Sequence, residues 1–260
     1  MLYDLQMLEY ILKILFCTPF LLYSCYTDIK TRRVTNKLWV VMLSGIAVFV
    51  LYDILTKGIT YLLNLLISAG LIYVLVYILF KIGSFGGADA KSLIVISIIL
   101  PSYPEFSAFG YDFPLNQPLI HLFAFGILGN AVLLSIVVPL GLAVYNIFRM
   151  GLHIDNPLYI FIGYKSRISD LADKHIKLMH SFEEENGRII SRFKRGGVEI
   201  TEDVISELKA LSDKGLIKEE VWVTPGLPFM IPITLGFFVA VFYGDMITEL
   251  TRFLIFLRLN

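Results

Sequence analysis

The sequence predicts an all-α polytopic membrane protein, with six transmembrane helices and a small α+β cytoplasmic insert between the fifth and sixth. Three observations carry that expectation. Hydrophobic residues make up 57% of the chain and charged ones only 17%, whereas soluble domains sit nearer half and a quarter. Six apolar stretches reach, or nearly reach, the roughly 20 residues a helix needs to cross hydrocarbon. Residues 151–220 break that pattern with charges of both signs and cannot enter lipid. Residues 1–150 would then hold five spans, 151–220 the soluble insert, and 221–260 the sixth span with a C-terminal apolar segment.

The first span covers residues 7–27. Lys13 interrupts it and must snorkel or face protein, with Glu9 one turn away as its partner. The second and third spans cover residues 38–55 and 59–82. The fourth starts near Ala88 and is stopped by Pro101 and Pro104. The fifth covers residues 119–148, and Pro139 should kink it. The sixth begins after Pro225 and runs to Tyr243, with residues 247–259 extending or flanking it.

Basic residues set the orientation. Lys30, Arg32, Arg33 and Lys37 follow the first span, Lys81 and Lys91 bracket the short loop after the third, and Arg149 follows the fifth. The opposite loops carry Lys57 alone in one and no Lys or Arg between Pro101 and Pro118. The loops after spans one, three and five are therefore expected in the cytoplasm, with both termini outside. The first stretch lacks a basic leader and a small-residue cleavage site, so no cleavable signal peptide is expected. Within the insert, a helix is expected over residues 166–185. Two strands follow, 188–193 and 198–201, joined around Lys194-Arg195-Gly196-Gly197. A second helix runs from Thr201, with Glu202 and Asp203 in its first turn, to Gly215.

Several function classes fall away. With 22 basic and 22 acidic residues, the chain has no charge surplus for nucleic acid. Cys17 and Cys25 lie eight residues apart in one helix, about 12 Å along its axis, too far to pair. His153, His175 and His180 have no Cys or carboxylate arrangement typical of zinc. No metal and no cofactor are expected.

Two carboxylates stand out. Asp28 closes the first span in Tyr26-Thr27-Asp28-Ile29-Lys30, and Asp89 opens the fourth. Ionisable groups at membrane helix ends are costly and hence functional suspects. By the topology above, both lie at one boundary on different helices. A pair sharing one proton could activate water and hydrogen-bond a scissile carbonyl. Gly86 and Gly87 would let the chain turn and a substrate strand approach. The simpler alternative makes Asp28 a membrane-edge residue and Asp89 a first-turn residue.

At these residues the chain resembles the archaeal preflagellin and prepilin peptidases, a GxGD-type family of membrane aspartyl proteases. Gly86-Gly87-Ala88-Asp89-Ala90-Lys91 resembles the family's Gly-x-Gly-Asp-x-Lys, with Ala88 in the third position as archaeal members accept. Asp28 followed by Val34-Thr35-Asn36 is similar to the motif in which Ile-Pro-Asn follows aspartate, Thr35 replacing proline. The stretch from Val221 through Pro225, Pro228 and Pro232 to Asp245 fits the same family. The resemblance implies catalysis by Asp28 and Asp89 on a precursor with a short basic leader and a hydrophobic helix, archaellin first and pilin second. Bacterial members carry an extra methyltransferase region that this chain lacks, which implies cleavage without N-methylation.

Other residues have narrower readings. Lys91 either biases the pair or holds its loop, or else snorkels as an anchor. Asn36 should cap the second span. Asn64, Ser68 and Asn130 should bond between helices. Asp53 and Asp245 read as solvated boundary residues, and Trp222 as an interface anchor. The insert reads as a solvated domain, with no acidic patch for a basic leader. Two other classes stand beside the protease. A transporter would place charges at mid-bilayer and often repeat a half, and neither is visible. A non-catalytic assembly scaffold would tolerate loss of both aspartates. A signal-peptide-peptidase-like enzyme would carry a Pro-Ala-Leu element, which is absent.

Overall fold

The computed structural model describes residues 2–151, 156–172, 176–185, 188–226 and 228–259. In chain order the first elements are α1 (Leu2–Thr31), α2 (Asn36–Lys81), α3 (Gly87–Ile99), β1 (Phe106–Ala108), β2 (Tyr111–Phe113) and α4 (Phe123–Ser135). Next come α5 (Val137–Met150), α6 (Tyr159–Ile162), β3 (Tyr164–Arg167), β4 (Ile176–Glu185), β5 (Arg188–Glu199) and α7 (Glu202–Asp213). The last are β6 (Glu220–Pro225), α8 (Met230–Phe242) and α9 (Met246–Leu259). Contacts divide the chain into Met1–Ser135 with Pro228–Asn260 as one unit and Ile136–Leu227 as the other.

The first unit is apolar both inside and on its outward faces. Its helices meet around Leu21, Met42, Leu93, Ile127 and Phe237, all fully buried. Their outward faces are apolar too: Val48 is 74% exposed and Leu55 75%. Among the described residues three helical stretches are long and apolar enough to cross a bilayer, Leu5–Thr31, Asn36–Lys81 and Phe123–Met150. The pair Met230–Phe242 and Met246–Arg258, bent by 69°, passes the same test as one broken span. The chain is thus a membrane protein by its helices, with three spans or four on length and composition. Helix α3 has only 13 residues and does not qualify alone. At the rise of an α-helix it is about 20 Å long, short of the hydrocarbon thickness.

Helix α2 spans both the second and third predicted stretches in 46 residues. The predicted loop between them is a single residue: Gly58 sits at φ 69°, ψ −155°. Only glycine occupies that region readily. The interruption within the predicted fifth span falls at Ile136, between α4 and α5. Pro139 has no N–H to give the Ser135 carbonyl, so the ladder stops there.

Close packing and polar contacts hold the unit. A β-carbon on Gly236 would stand 2.7 Å from the Ile127 carbonyl oxygen. Helices α4 and α8 therefore touch backbone to backbone, as small residues allow in membrane bundles. Asn130 bonds as expected, donating to the Gly244 carbonyl at 2.9 Å and accepting from the Met246 N–H at 2.9 Å. Ser68 is buried with its hydroxyl unpaired, and Asn64 is exposed. Two expectations are overturned. Asp53 is fully buried, in ion pairs with Lys13 and with Lys57 (2.6 Å). Glu9 completes the network, 2.6 Å from Lys13 and 3.0 Å from Lys57. A span boundary reached from both helices is protein interior, where charges persist only in pairs. Asp245 is buried as well, accepting from Thr248 Oγ1 at 2.6 Å and from the Ile247 N–H at 3.0 Å. It thereby caps the start of α9.

The second unit carries an antiparallel sheet of order β3-β6-β4-β5. The helix expected over residues 166–185 is not there. Ile176, Leu178 and Phe182 alternate along β4 and pack into the insert's core with Val221 and Val223 of β6. That period of two outweighs the local abundance of Lys and Glu. The two strands expected between 188 and 201 are one. Strand β5 runs through Gly196 and Gly197, which have positive φ values of 89° and 73°. The pairing of β5 with β4 shifts register where Leu178 gives way to His180. Glycines at positive φ suit such an irregularity. Helix α7 follows the prediction, its Thr201 accepting from the Val204 N–H. Trp222 is a sheet residue in β6, its ring 5.6 Å from that of Tyr159, with Lys165 above it.

Candidate active site

The last turn of α1 carries Asp28, and the first turn of α3 carries Asp89. Both placements follow from local chemistry. The Arg32 N–H closes onto the Asp28 carbonyl at 3.0 Å as α1 ends. At α3 the Asp89 carboxylate accepts from the Gly86 N–H at 3.0 Å. An acidic group there satisfies a free amide and meets the positive end of the helix dipole. Asp89 is buried, 7% exposed, and Asp28 is half-buried.

A third helix end completes the cluster. The Met230 N–H, at the first turn of α8, donates to Asp28 Oδ2 at 3.4 Å. One turn back on α1, Cys25 Sγ donates to the Met230 carbonyl and to Thr234 Oγ1 at 3.2 and 3.0 Å. Phe85, just before α3, packs edge-on against Phe229 at 4.9 Å. The ends of α1, α3 and α8 therefore converge. They set Asp28 and Asp89 at one corner of the helical unit.

The motif residues occupy the same corner. Gly87 and Ala88 open α3 ahead of Asp89. Lys91 Nζ donates to Asn36 Oδ1 at 2.6 Å, linking α3 to the start of α2. That corrects the role expected for Asn36. Thr35 stands at the cap position and makes no side-chain bond, while Asn36 is already helical and serves Lys91. The expectation for Gly86 also shifts. Its φ is −77°, open to any residue. The glycine that the turn requires is Gly83, at φ 75°. What Gly86 provides is space, since a β-carbon there would stand 3.0 Å from Asp89 Oδ2.

Met230, Phe229 and Arg32 are neighbours of the site that sequence reasoning did not select. Arg32 alone had a visible signal, a basic residue four positions past Asp28 in the chain. Among the described residues no group of three or more His, Cys, Asp or Glu could hold a metal ion. His153 and His175 lie outside the described residues.

Comparison with known proteins identifies the family. A sequence model described as archaeal peptidase A24 C-terminus type II matches residues 155–246. The preflagellin peptidase of Methanocaldococcus jannaschii is 25% identical over 87% of this chain and 92% of its own length. That of Methanococcus maripaludis is 25% identical over 94% of this chain and 98% of its own length. That of Methanococcus voltae is 25% identical over 88% and 94% respectively. The model of the type IV leader peptidase family matches residues 15–144, a range that contains Asp28, Asp89 and the motifs around both. Half the chain lies within that match: the protein belongs to the type IV leader peptidase family.

Proposed function

We propose that the chain is a membrane aspartyl endopeptidase. It removes the short basic leader from archaellin precursors, or from type IV pilin-like precursors, at the cytoplasmic membrane face. The observation that carries this reading is the convergence of the ends of α1, α3 and α8, which sets Asp28 and Asp89, on separate helices, at one corner with each carboxylate held by a main-chain amide. Neighbouring carboxylates do not both ionise cheaply, so the pair holds one proton between them. The ionised partner takes a proton from water as the water attacks the scissile carbonyl. The protonated partner donates to the carbonyl oxygen, where charge grows. The adduct collapses, the C–N bond breaks, and the departing amine takes up a proton. The Gly86 and Met230 amides hold Oδ2 of each carboxylate, which leaves Oδ1 of each for water and substrate. The titration of such a site belongs to the pair.

The substrate class is supported by the names of the three relatives, each a preflagellin peptidase. In this reading Gly58 separates spans two and three, α3 is the fourth, α4 with α5 the fifth, and α8 with α9 the sixth. Lys30, Arg33, Lys37 and Lys81 mark the cytoplasmic side, and both termini lie outside. Lys91 ties α3 to the start of α2 through Asn36. No methyl group is transferred to the new N-terminus.

The test is direct. Purified protein in vesicles is incubated with preflagellin and prepilin precursors, and products are mapped by mass spectrometry. One cut is expected between basic leader and hydrophobic helix, with product mass unchanged by added S-adenosylmethionine. A folded, monodisperse protein that cuts no precursor contradicts the proposal.

A further inference from the structure

We propose that Arg32 is a substrate-binding residue whose guanidinium donates to a main-chain carbonyl of the precursor beside the scissile bond. The inference rests on the protease reading above. Arg32 holds a backbone conformation with φ at 55°. Residues that bear a side chain disfavour that region. Its own N–H, bonded to the Asp28 carbonyl, fixes that conformation at the turn that carries Asp28. The residue as a whole is half-buried. Nε and Nη1 are shielded from solvent and have no hydrogen-bond partner. Arginine cannot shed its proton to relieve such a position. Buried donors without partners are rare and call for an explanation.

Its neighbours supply a contrast. Lys30 and Arg33 carry the same charge and lie in solvent, as membrane-edge residues should. Arg32 instead sits where its charge bears on Asp28. Strain and unpaired donors held beside one carboxylate of the pair mark a position kept for a ligand. That ligand must bring an acceptor. Basic side chains of a leader bring none. The acceptor that every peptide presents at this point is a main-chain carbonyl, and proximity to Asp28 places it next to the bond being cut.

The experiment measures kcat and KM for a preflagellin precursor in phospholipid-free maltoside micelles and in phospholipid vesicles. Wild type is compared with Arg32→Ala, Arg32→Gln and Arg32→Lys. Loss of a charged hydrogen bond should raise KM about tenfold or more in Arg32→Ala, with kcat changed less. Arg32→Lys should recover part of that loss, and the pH profile of kcat/KM should keep its wild-type shape. Binding of uncut precursor to Asp89→Asn should weaken by a similar factor when Arg32→Ala is added, a readout that needs no turnover. Unchanged KM in Arg32→Ala overturns the proposal. A loss confined to kcat with a displaced pH profile also overturns it, by assigning Arg32 to Asp28 alone. A defect seen in vesicles but absent from micelles overturns it too, by assigning Arg32 to a lipid phosphate. A wild-type protein that cuts nothing brings down the protease reading itself, whereas normal cutting with any of these three results brings down this inference only.

Discussion

Gly86 illustrates a residue needed for the room it leaves. Its backbone suits alanine, yet a β-carbon would press on the carboxylate oxygen that its own N–H holds. Gly86→Ala should therefore leave the melting temperature nearly unchanged while kcat/KM falls on the order of 10- to 100-fold, because displaced reacting groups lose rate steeply. Equal activity in the two proteins would show that Asp89 needs no such support. Asp28 and Asp89 were legible in the sequence because acids at the ends of apolar stretches are conspicuous. Their partners were not. Met230 lies 202 residues from Asp28 in the chain, and nothing near Met230 announces that its amide meets a carboxylate. Asn36 was read as a cap because its type suits that position. The atom it serves, Lys91 Nζ, comes from 55 residues away.

At the scale of elements, apolar length marks the long helical stretches and Pro139 marks one interruption, while the one at Gly58 lies inside a single 46-residue helix. Gly58 and Pro139 both fall at or next to interruptions for the reasons their backbones dictate. The insert was harder. Lys and Glu favour helix locally, but Ile176, Leu178 and Phe182 share one sheet face in the insert's core. Tertiary burial decided the outcome. The ion network joining α1 to α2 was half visible as Glu9 and Lys13. Asp53 and Lys57 entered it only because α2 brings the turn before Gly58 against α1. Removing one member should be expensive. Asp53→Ala strands Lys13 in the interior with Glu9 alone, and should cost about 3–5 kcal/mol in denaturant unfolding in micelles. Asp53 pairs with Lys13, roughly 22 Å from Asp28 along α1, so cleavage at permissive temperature should stay within about threefold of wild type. A stability loss well under 1 kcal/mol would mean the network is solvated in the bilayer-bound protein.

For the whole molecule, two parts answer to two solvents. The helical unit buries an apolar core around Leu21, Ile127 and Phe237 and turns further apolar side chains outward to lipid. The insert has an ordinary apolar core of its own around Leu178, Leu208 and Val223. Composition changes between them in the sequence, because lipid and water demand opposite surfaces. It could not place α1, α3 and α8 around one point, since that depends on contacts between distant segments. The claim that two acids at this point act as one catalytic unit is tested most directly by a mutant cycle on kcat/KM for a preflagellin precursor, comparing Asp28→Asn, Asp89→Asn and the double variant. Each single substitution should lower kcat/KM by about 10⁴-fold or more, and the double variant should be no worse, because members of one unit fail together. Either single variant retaining activity within tenfold of wild type, or losses that multiply in the double, would contradict the account.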